Sequence, residues 1–256
     1  MTFGHASAPS LPASAASKNL FFRLLPATVR AGWINHLQLV HLEAGRPLLP
    51  VAGGVAYVHF PLGSVVSVSK TTHDGRGALL ALIGREGLIG LSGLMGGPVL
   101  DSMPDVLLPG PAARVDAALF AEAFHASWPV SNLVLRYLNA SFTQVGQAAY
   151  CYRHHGPEEY LCTLLLRLQD RTGRQCIHMT QDQLGRLAGL RRETISHAAT
   201  RLQHAGVLSY RRGQIVVEDR KALEAHACDC YRLVEGAYQR GYFGNENPWA
   251  EPLPAG

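Results

Sequence analysis

The 256-residue chain lacks the marks of membrane, secreted and disordered proteins. Gly, Ser or Arg interrupts each apolar run before the ~18 residues that a membrane span needs. The opening stretch MTFGHASAPSLPASAAS has no basic segment followed by an apolar core, so we expect no secretory signal and interpret residues 1–18 as a flexible tail. Hydrophobic residues make up 47% and charged residues only 16%, which predicts packed cores rather than disorder.

Cysteine is scarce and catalytic signatures are missing. The five cysteines are odd in number and belong to a long chain, so we do not expect the disulfide framework of a secreted protein. We expect free thiols and a cytoplasmic protein instead. The chain has no nucleophile elbow, P-loop, G-x-G-x-x-G or H-E-x-x-H motif. We therefore expect a protein that is not an enzyme.

Positive charge is concentrated in one short stretch. The net charge is only +4, yet eight arginines lie between residues 171 and 212 against Asp182 and Glu193, a local excess of +6. Such an excess on an otherwise nearly neutral chain predicts a surface that faces phosphate groups.

The first half of the chain combines β-rich and helical patterns. Residues 20–36 have a helical pattern, with Pro26 at a helix start. From Leu37 to Ala118, short apolar runs alternate with glycine, which predicts a small β-barrel or roll, and His73-Asp74-Gly75 indicates a hairpin. Pro129 to Tyr152 is expected to form one long helix.

The long helix carries two apolar stripes, which need two surfaces to cover them. One stripe runs through Val134, Leu138, Ser141, Val145, Ala148 and Tyr152, and the other through Leu135, Phe142 and Ala149. The β-roll would cover one stripe, and a second copy of the chain would cover the other. A core helix within a monomer is the alternative.

The segment from Met179 to Gly206 has the pattern of a helix-turn-helix. Thr180-Gln181-Asp182-Gln183 matches a capping box, and Gly189 permits a sharp turn. The second helix, about residues 191–204, buries Ile195, Ala198, Ala199 and Leu202 at helical spacing. Its opposite face is polar, as in helices that enter the DNA major groove. The β-rich runs around Arg212-Gly213 predict a basic hairpin, or wing, over residues 208–217.

These motifs resemble the Crp/Fnr (catabolite-activator) family of transcription regulators, over about Leu20 to Tyr231. TQDQLGRLAGLRRETISHAATRLQHAGVL resembles the family's helix-turn-helix, and VHFPLGSVVSV…DGRGALLALIGREGLIGL its β-roll. DRKALEAHACDCY is similar to a subgroup without a generally defined effector. The resemblance implies an α+β fold in three parts: an N-terminal β-roll related to cyclic-nucleotide-binding domains, a long dimerisation helix and a C-terminal winged helix-turn-helix.

The resemblance also divides the chain and names its partners. We expect a sensory β-roll over residues 19–127, a dimerisation helix and hinge over 128–156, a DNA-binding domain over 157–240 and a tail over 241–256. A homodimer would bind near-palindromic double-stranded DNA, with RNA polymerase as a further partner of such regulators and no membrane involved.

The family's recognition helix carries an R-E-x-x-x-R pattern. Arg192 and Glu193 match its first two positions, where an arginine can donate to guanine and a glutamate can accept from cytosine. His197 replaces the second arginine, which puts the family's usual operator sequence in doubt. Ser196 is the fourth predicted base-reading residue. Phosphate contacts are expected from six residues, Thr180, Gln181, Arg191, Thr194, Arg211 and Arg212.

The pocket for a cyclic nucleotide is expected to be degenerate. In nucleotide-binding relatives a glutamate holds the ribose and an arginine the phosphate. Alignment on Gly90 puts Leu91 and Asp101 at these positions, with Ser102 beside Asp101. An aspartate would repel a phosphate, so we expect no cyclic nucleotide, no cofactor and an effector that the sequence does not identify.

Metal or redox sensing is the alternative function. No cysteine precedes Cys151, which argues against the family's N-terminal iron–sulfur cluster. His41, His59 and His73 lie in the β-roll as isolated histidines, which are ordinary packed or surface residues more often than haem ligands. His226, Cys228 and Cys230 are the remaining metal candidates, and a Cys-x-Cys pair is a weaker signature than Cys-x-x-Cys.

Overall fold

The computed structural model describes residues 13–45, 48, 55–71, 77–96 and 104–243. The predicted hairpin at residues 73–75, and Asp101 and Ser102 of the predicted pocket, lie outside these ranges. Residues 13–18, predicted as part of a flexible tail, include a short helix, α1 (Ala13–Ala16), whose Ala16 is fully buried. That part of the prediction was wrong.

The helical pattern predicted over residues 20–36 forms two helices, α2 (Leu20–Leu24) and α3 (Ala27–Trp33), and the second begins directly after Pro26, the predicted helix start. The break comes at Leu25, because the ring of Pro26 disfavours helical geometry in the residue before it, and Leu25 is extended with ψ 147°. Asn19 caps α2 by accepting the amide of Phe22 at 2.9 Å. Its side-chain nitrogen donates to two carbonyls of the β-roll, those of Pro61 and Gly87.

Two antiparallel three-stranded sheets form the β-roll. One sheet has the order β1-β6-β2, with β1 Gln38–Leu42, β2 Tyr57–Pro61 and β6 Gly110–Asp116. The other has the order β4-β3-β5, with β3 Val65–Thr71, β4 Gly77–Ile83 and β5 Pro104–Leu108. Aromatic rings fill the space between the first sheet and the flanking helices: Phe60 contacts Phe22 edge to face at 5.5 Å and lies near Phe120 and Trp33.

Helix α4 (Ala117–Ala126) leads into α5 (Trp128–His154), the long helix that the sequence predicts. With 27 residues, α5 is about 40 Å long. One face is buried on the β-roll and on the C-terminal part of the chain, through Val130, Leu133, Val134, Tyr137, Ala140, Gln144, Ala148 and Cys151. Trp128, Leu135 and Phe142, spaced seven residues apart, are exposed.

The C-terminal part surrounds α6 (Pro157–Thr172), in which every residue from Tyr160 onward is buried. Around it lie β7 (Cys176–His178), α7 (Gln181–Ala188), α8 (Arg192–His204), β8 (Leu208–Arg211) and β9 (Gln214–Val217). Helices α9 (Arg220–His226) and α10 (Cys230–Tyr238) follow, and a π-helical turn runs through residues 239–243. The strands form a sheet of order β7-β9-β8.

One hydrophobic core joins the β-roll to the C-terminal part. Val65, Leu79 and Leu82 of the second sheet belong to the same buried cluster as the leucines of α6 and α7. This contact explains why α6 is buried on all sides, whereas an isolated winged helix would leave one side of it in water. None of the helices in the described ranges is long and apolar enough to cross a membrane.

Candidate nucleic-acid interface

The helix-turn-helix forms at the predicted residues for local reasons. The Thr180 hydroxyl accepts the amide of Gln183, and the Gln183 side chain accepts the amide of Thr180, which completes the capping box. Gly189 ends α7 with φ 62°, a left-handed conformation that favours glycine. A Cβ on Gly189 would also lie 1.9 Å from the Tyr152 hydroxyl, so the turn packs tightly against the end of α5.

Helix α8 separates its residues into a buried and a polar side. Ile195, Ala198, Ala199 and Leu202 are buried, as predicted. On the opposite side Arg192, Glu193 and His197 are exposed and Ser196 is half-buried. These four residues line one shallow depression of about 300 Å³. The predicted base-reading residues therefore share one open face, which we call the α8 polar face.

The predicted phosphate contacts surround this face, but they are not equally available. Arg191 is exposed at the start of α8 and Thr194 is half-buried beside it. The Thr180 hydroxyl lies 3.0 Å from the side-chain oxygen of Gln183 and donates to it within the cap, so it can donate to a phosphate only by leaving that oxygen. Gln181 donates its backbone amide to the Tyr210 hydroxyl at 3.2 Å, and its side chain is half-buried.

The wing is a tight hairpin with two exposed arginines at its end. Arg212 and Gly213 have φ 47° and 79°, and two successive left-handed residues are the mark of a type I′ hairpin turn. Arg211 pairs with Gln214 across the end of the hairpin. Both arginine side chains are exposed to solvent. Arg212 itself has the left-handed backbone conformation, which a glycine would adopt more easily.

The local charge excess is smaller at the surface than the sequence predicts. Arg171 is 2% exposed and its guanidinium lies 2.9 Å from Glu86, so it does not face solvent. Arg186 and Arg201 form surface ion pairs with Asp182 and Glu158. The interpretation of all eight arginines as one phosphate-facing surface was therefore wrong, and the basic groups grouped at the interface are those of α8 and the wing.

Gly90 and Leu91 of the predicted nucleotide pocket lie at a short turn beside the core of the β-roll. Gly90 is left-handed with φ 112° and starts a short 3-10 turn, and Leu91 is buried in the aromatic core cluster. Nearby, Arg114 donates to the side chain of Gln38 at 2.9 Å and covers the ring of Tyr57 at 3.9 Å. These two contacts already engage the arginine on the sheet.

The histidines of the β-roll have different surroundings. His41 is exposed, and His73 lies outside the described residues. His59 is buried, and its Nδ1 has no hydrogen-bond partner among the residues that the structure describes. Burial, aided by the positive charge of Arg114, lowers the pKa of His59 to about 4.

The C-terminal metal candidates are only partly brought together. Cys228 and Cys230 lie side by side, but His226 is exposed and its Nδ1 lies 3.6 Å from Glu158, away from the thiols. The histidine beside the thiols is His155, and Cys151 is a third thiol there. The assignment of His226 to this group was therefore wrong. The i,i+4 spacing of Cys151 and His155 was available in the sequence, but nothing there connects it to residues more than seventy positions away.

Comparison with known proteins identifies the segment that carries the α8 polar face. Residues 160–226 match the family model of the Crp-like helix-turn-helix domain. This segment is a Crp-like helix-turn-helix domain. It runs from α6 to the end of α9 and includes all the predicted base-reading and phosphate-contacting residues. The sequence matches no curated protein.

Solved structures extend the likeness to the rest of the fold. FixK2 from Bradyrhizobium japonicum is 18% identical, with a TM-score of 0.63 over 75% of this chain and 98% of its own. The c-di-GMP responsive global regulator CLP from Xanthomonas campestris is 16% identical, with a TM-score of 0.57 over 76% and 100%. TTHB099, a CRP-family transcriptional regulator from Thermus thermophilus, is 16% identical, with a TM-score of 0.58 over 73% and 96%.

The Crp-like domain and this shared fold together confirm the predicted resemblance to Crp/Fnr transcription regulators and the predicted α+β architecture. The β-roll, the long helix α5 and the helix-turn-helix follow one another in the predicted order.

Proposed function

We propose that the protein is a dimeric, sequence-specific DNA-binding regulator that inserts α8 into the major groove. One observation carries the proposal: the α8 polar face is open to solvent, although the other side of the same helix is completely buried. Polar side chains on a solvent-facing recognition helix are what direct readout of base edges requires. The Crp-like domain supports the assignment.

The four residues of the α8 polar face would have separate roles. Arg192 would donate two hydrogen bonds to a guanine, and Glu193 would accept one from a cytosine amino group. Ser196 and His197 follow one turn later and would contact the next base edges. An imidazole does not present two parallel donors and cannot make the paired guanine contact of an arginine, so we expect the operator to differ from the family's usual one at that position.

Phosphate contacts would hold α8 in register from both sides. Arg191 and Thr194 lie at its start, and Arg211 and Arg212 project from the wing. Thr180 and Gln181, at the start of α7, would contribute to a smaller extent, because the Thr180 hydroxyl is engaged in the cap. Charged contacts of this kind add affinity without sequence preference.

A second copy of the chain would cover the exposed stripe of α5. Trp128, Leu135, Phe142 and Ala149 recur every seven residues, and Leu138, Val145 and Tyr152 follow the last three of them by three positions. This is the spacing of a two-helix seam, and the side chains of Trp128, Leu135 and Phe142 are 71%, 51% and 60% exposed. So much exposed apolar surface on one helix favours the dimer over the monomer.

The dimer sets the form of the operator. Two copies of α8 related by a two-fold axis would contact half-sites about one DNA turn apart, so the operator is expected to be a near-palindrome. We assign residues 19–127 to sensing, 128–156 to dimerisation and hinge motion, and 157–240 to DNA binding, in the cytoplasm. RNA polymerase is a further partner if the bound protein activates transcription.

Selection from random DNA duplexes tests the proposal. The purified protein should retain duplexes that share one near-palindromic motif, and its affinity for them should fall steeply with salt concentration. Retention of no common motif, together with an affinity that does not change with salt, would contradict it.

The effector is expected not to be a cyclic nucleotide, because the alignment on Gly90 assigns the apolar Leu91 to the position where nucleotide-binding relatives hold the ribose. Titration with cyclic AMP should give no binding at micromolar concentrations. The alternative function, metal or redox sensing, is favoured by one observation, the group of thiols around Cys228.

A further inference from the structure

Four side chains that bind soft metals converge at the junction of α5, α6 and α10. They are Cys151, His155, Cys228 and Cys230, and their ligand atoms all lie within 4.8 Å of one another. The Cys151 and Cys228 sulfurs are 3.5 Å apart, and the Cys230 sulfur is 3.3 Å from Nδ1 of His155. This is the one group of this kind among the residues that the structure describes.

We propose that Cys151, His155, Cys228 and Cys230 bind a single zinc ion, which fastens the start of α10 to the end of α5. The proposal stands apart from the DNA-binding function and would hold even if that function were wrong. In this site Cys151 of α5 and His155, which caps α5, take the place of His226, so the site joins distant parts of the chain.

The local structure explains how the ligands meet. Cys151 lies in the last turn of α5, and His155 caps that helix four residues later, so both project from the same side. Cys228 lies in the short connection between α9 and α10, and Cys230 is the first residue of α10. The fold brings the two pairs together by packing α10 against α5, and each pair alone supplies half of a tetrahedral site.

The dimensions suit one ion. Zn–S bonds near 2.3 Å and Zn–N bonds near 2.0 Å give a tetrahedron with ligand-to-ligand edges of roughly 3.5–3.8 Å. The sulfur–sulfur distance of 3.5 Å and the sulfur–nitrogen distance of 3.3 Å are close to these edges. Because no two ligand atoms are more than 4.8 Å apart, the side chains need to move by only about 1 Å to complete the tetrahedron. An iron–sulfur cluster distributes its cysteines over several metal atoms and needs a wider arrangement. Three sulfurs and one imidazole nitrogen form one of the donor sets of structural zinc sites.

Groups outside the four ligands are arranged to support thiolates. The Gln147 side-chain nitrogen donates to the Cys230 sulfur at 3.1 Å, and the Thr163 hydroxyl lies 3.1 Å from the Cys228 sulfur. Hydrogen bonds of this kind orient metal ligands and stabilise their charge. The three thiols are at most 5% exposed, and only the half-buried His155 reaches toward solvent. A site with four protein ligands has no open position, so its role would be structural rather than catalytic.

The ion would lie at the connection between α5 and α6, where it would stabilise the fold. Helix α5 ends at His154 and α6 begins at Pro157, so the ligands surround the connection between the long helix and the Crp-like domain. Zinc binding would stabilise the folded chain because the unfolded chain does not present the four ligands together. Loss of the ion would remove this cross-link between the start of α10 and the end of α5.

Metal analysis of the full-length protein, purified with reductant and without chelator, tests the proposal. We expect one zinc ion per chain. The Cys151→Ser, His155→Ala and Cys228→Ser variants should each lower the zinc content at least tenfold after dialysis against a weak chelator. Cys176→Ser and His226→Ala, which change the same residue types outside the group, should keep the full content.

Cobalt substitution keeps the test independent of whether the variants fold. Wild-type protein stripped of zinc and loaded with Co²⁺ should show the visible absorption of tetrahedral cobalt bound to thiolates. Iron accompanied by inorganic sulfide would overturn the proposal. So would a Cys151–Cys228 disulfide in protein alkylated at cell lysis, or reduced wild-type protein that neither contains zinc nor binds added Zn²⁺ at micromolar concentrations.

Discussion

Arg171 and Glu86 form an ion pair in the interior of the protein, 2.9 Å apart, with side chains 2% and 0% exposed. Glu86 follows β4 of the second β-roll sheet, and Arg171 lies in the last turn of α6. Arg171 also donates to the side chain of Gln144 on α5 at 3.2 Å and lies beside the ring of Tyr238 on α10. One guanidinium therefore joins the β-roll, the long helix and the Crp-like domain.

Replacing Glu86 with glutamine should destabilise the protein by about 3–5 kcal/mol, because it leaves the charge of Arg171 buried without its counter-ion. Burial raises the pKa of Glu86 and Arg171 opposes that shift, so the charged pair depends on both partners. Urea unfolding followed by circular dichroism measures the change. The exposed Glu122→Gln variant is the control and should change stability by less than about 0.5 kcal/mol.

A double variant separates the ion pair from the space that it fills. Glu86→Leu combined with Arg171→Met removes both charges and keeps apolar volume, so it should recover part of the lost stability. If the single Glu86→Gln variant is as stable as the control, the charge on Glu86 does not contribute to the junction.

His59 should make the protein less stable in mild acid. Its folded-state pKa of about 4 lies below the 6.5 of the unfolded chain, so between these values the unfolded state binds a proton that the folded state does not. The free energy of unfolding should therefore fall by up to about 3 kcal/mol as the pH drops from 6.5 to 4, and not above pH 6.5. Unfolding curves over this range measure the slope.

The His59→Gln variant is the control for this effect, because glutamine stays neutral throughout the range. Its stability should fall less steeply than that of the wild type between pH 6.5 and 4. Equal slopes for the two proteins would mean that other groups, and not His59, cause the acid sensitivity.

Local signals predict the helix-turn-helix well, since each of its features depends on residues a few positions apart. The capping box at Thr180, the left-handed Gly189 and the helical spacing of Ile195 and Leu202 are all visible in the sequence and form as predicted. The same holds for the hairpin at Arg212-Gly213. The α8 polar face therefore follows from the sequence alone.

Features that depend on contacts between distant segments were not predictable from one sequence. Arg171 belongs to a basic stretch, and only the packing of α6 on the β-roll puts it beside Glu86, 85 positions away. His226 is close to Cys228 in sequence, yet α9 directs it toward Glu158, and the histidine beside Cys228 is His155, which caps α5. Proximity along the chain was a poor guide to these two groups.

Replacing Arg192 with alanine should relax the sequence preference at one base pair of each half-site. The loss of a paired guanine contact costs about 1–3 kcal/mol for the preferred duplex and little for others. Binding to duplexes varied at each position measures the change. Arg232→Ala, on the exposed side of α10, removes the same charge outside the interface and should leave the preference unchanged. An unaltered operator preference in Arg192→Ala would refute the assignment of this residue.

The Arg212→Ala variant should lower the affinity for all DNA sequences, whereas Arg192→Ala should change the sequence preference. A phosphate contact contributes equally to all sequences, so affinity should fall by a similar factor for the operator and for random duplexes. The slope of log affinity against log salt should decrease by about one. A selective loss of operator binding would instead make Arg212 a base-reading residue.

A charge in the exposed stripe of α5 should separate the dimer. Phe142 is 60% exposed in the single chain, so lysine at this position fits the folded protomer and remains solvated there. In a two-helix seam the same lysine would be buried opposite its counterpart, and we expect dimerisation to weaken ~100-fold, from the cost of burying unpaired charge.

Analytical ultracentrifugation of Phe142→Lys measures the dissociation, and circular dichroism establishes that the protomer is folded. Leu233→Lys, at an apolar residue of α10 that is 51% exposed and lies outside this stripe, is the matched control. Because each half-site alone binds weakly, a folded, monomeric Phe142→Lys should also lose affinity for the palindrome. A variant that stays dimeric would place the contact between protomers elsewhere on the molecule.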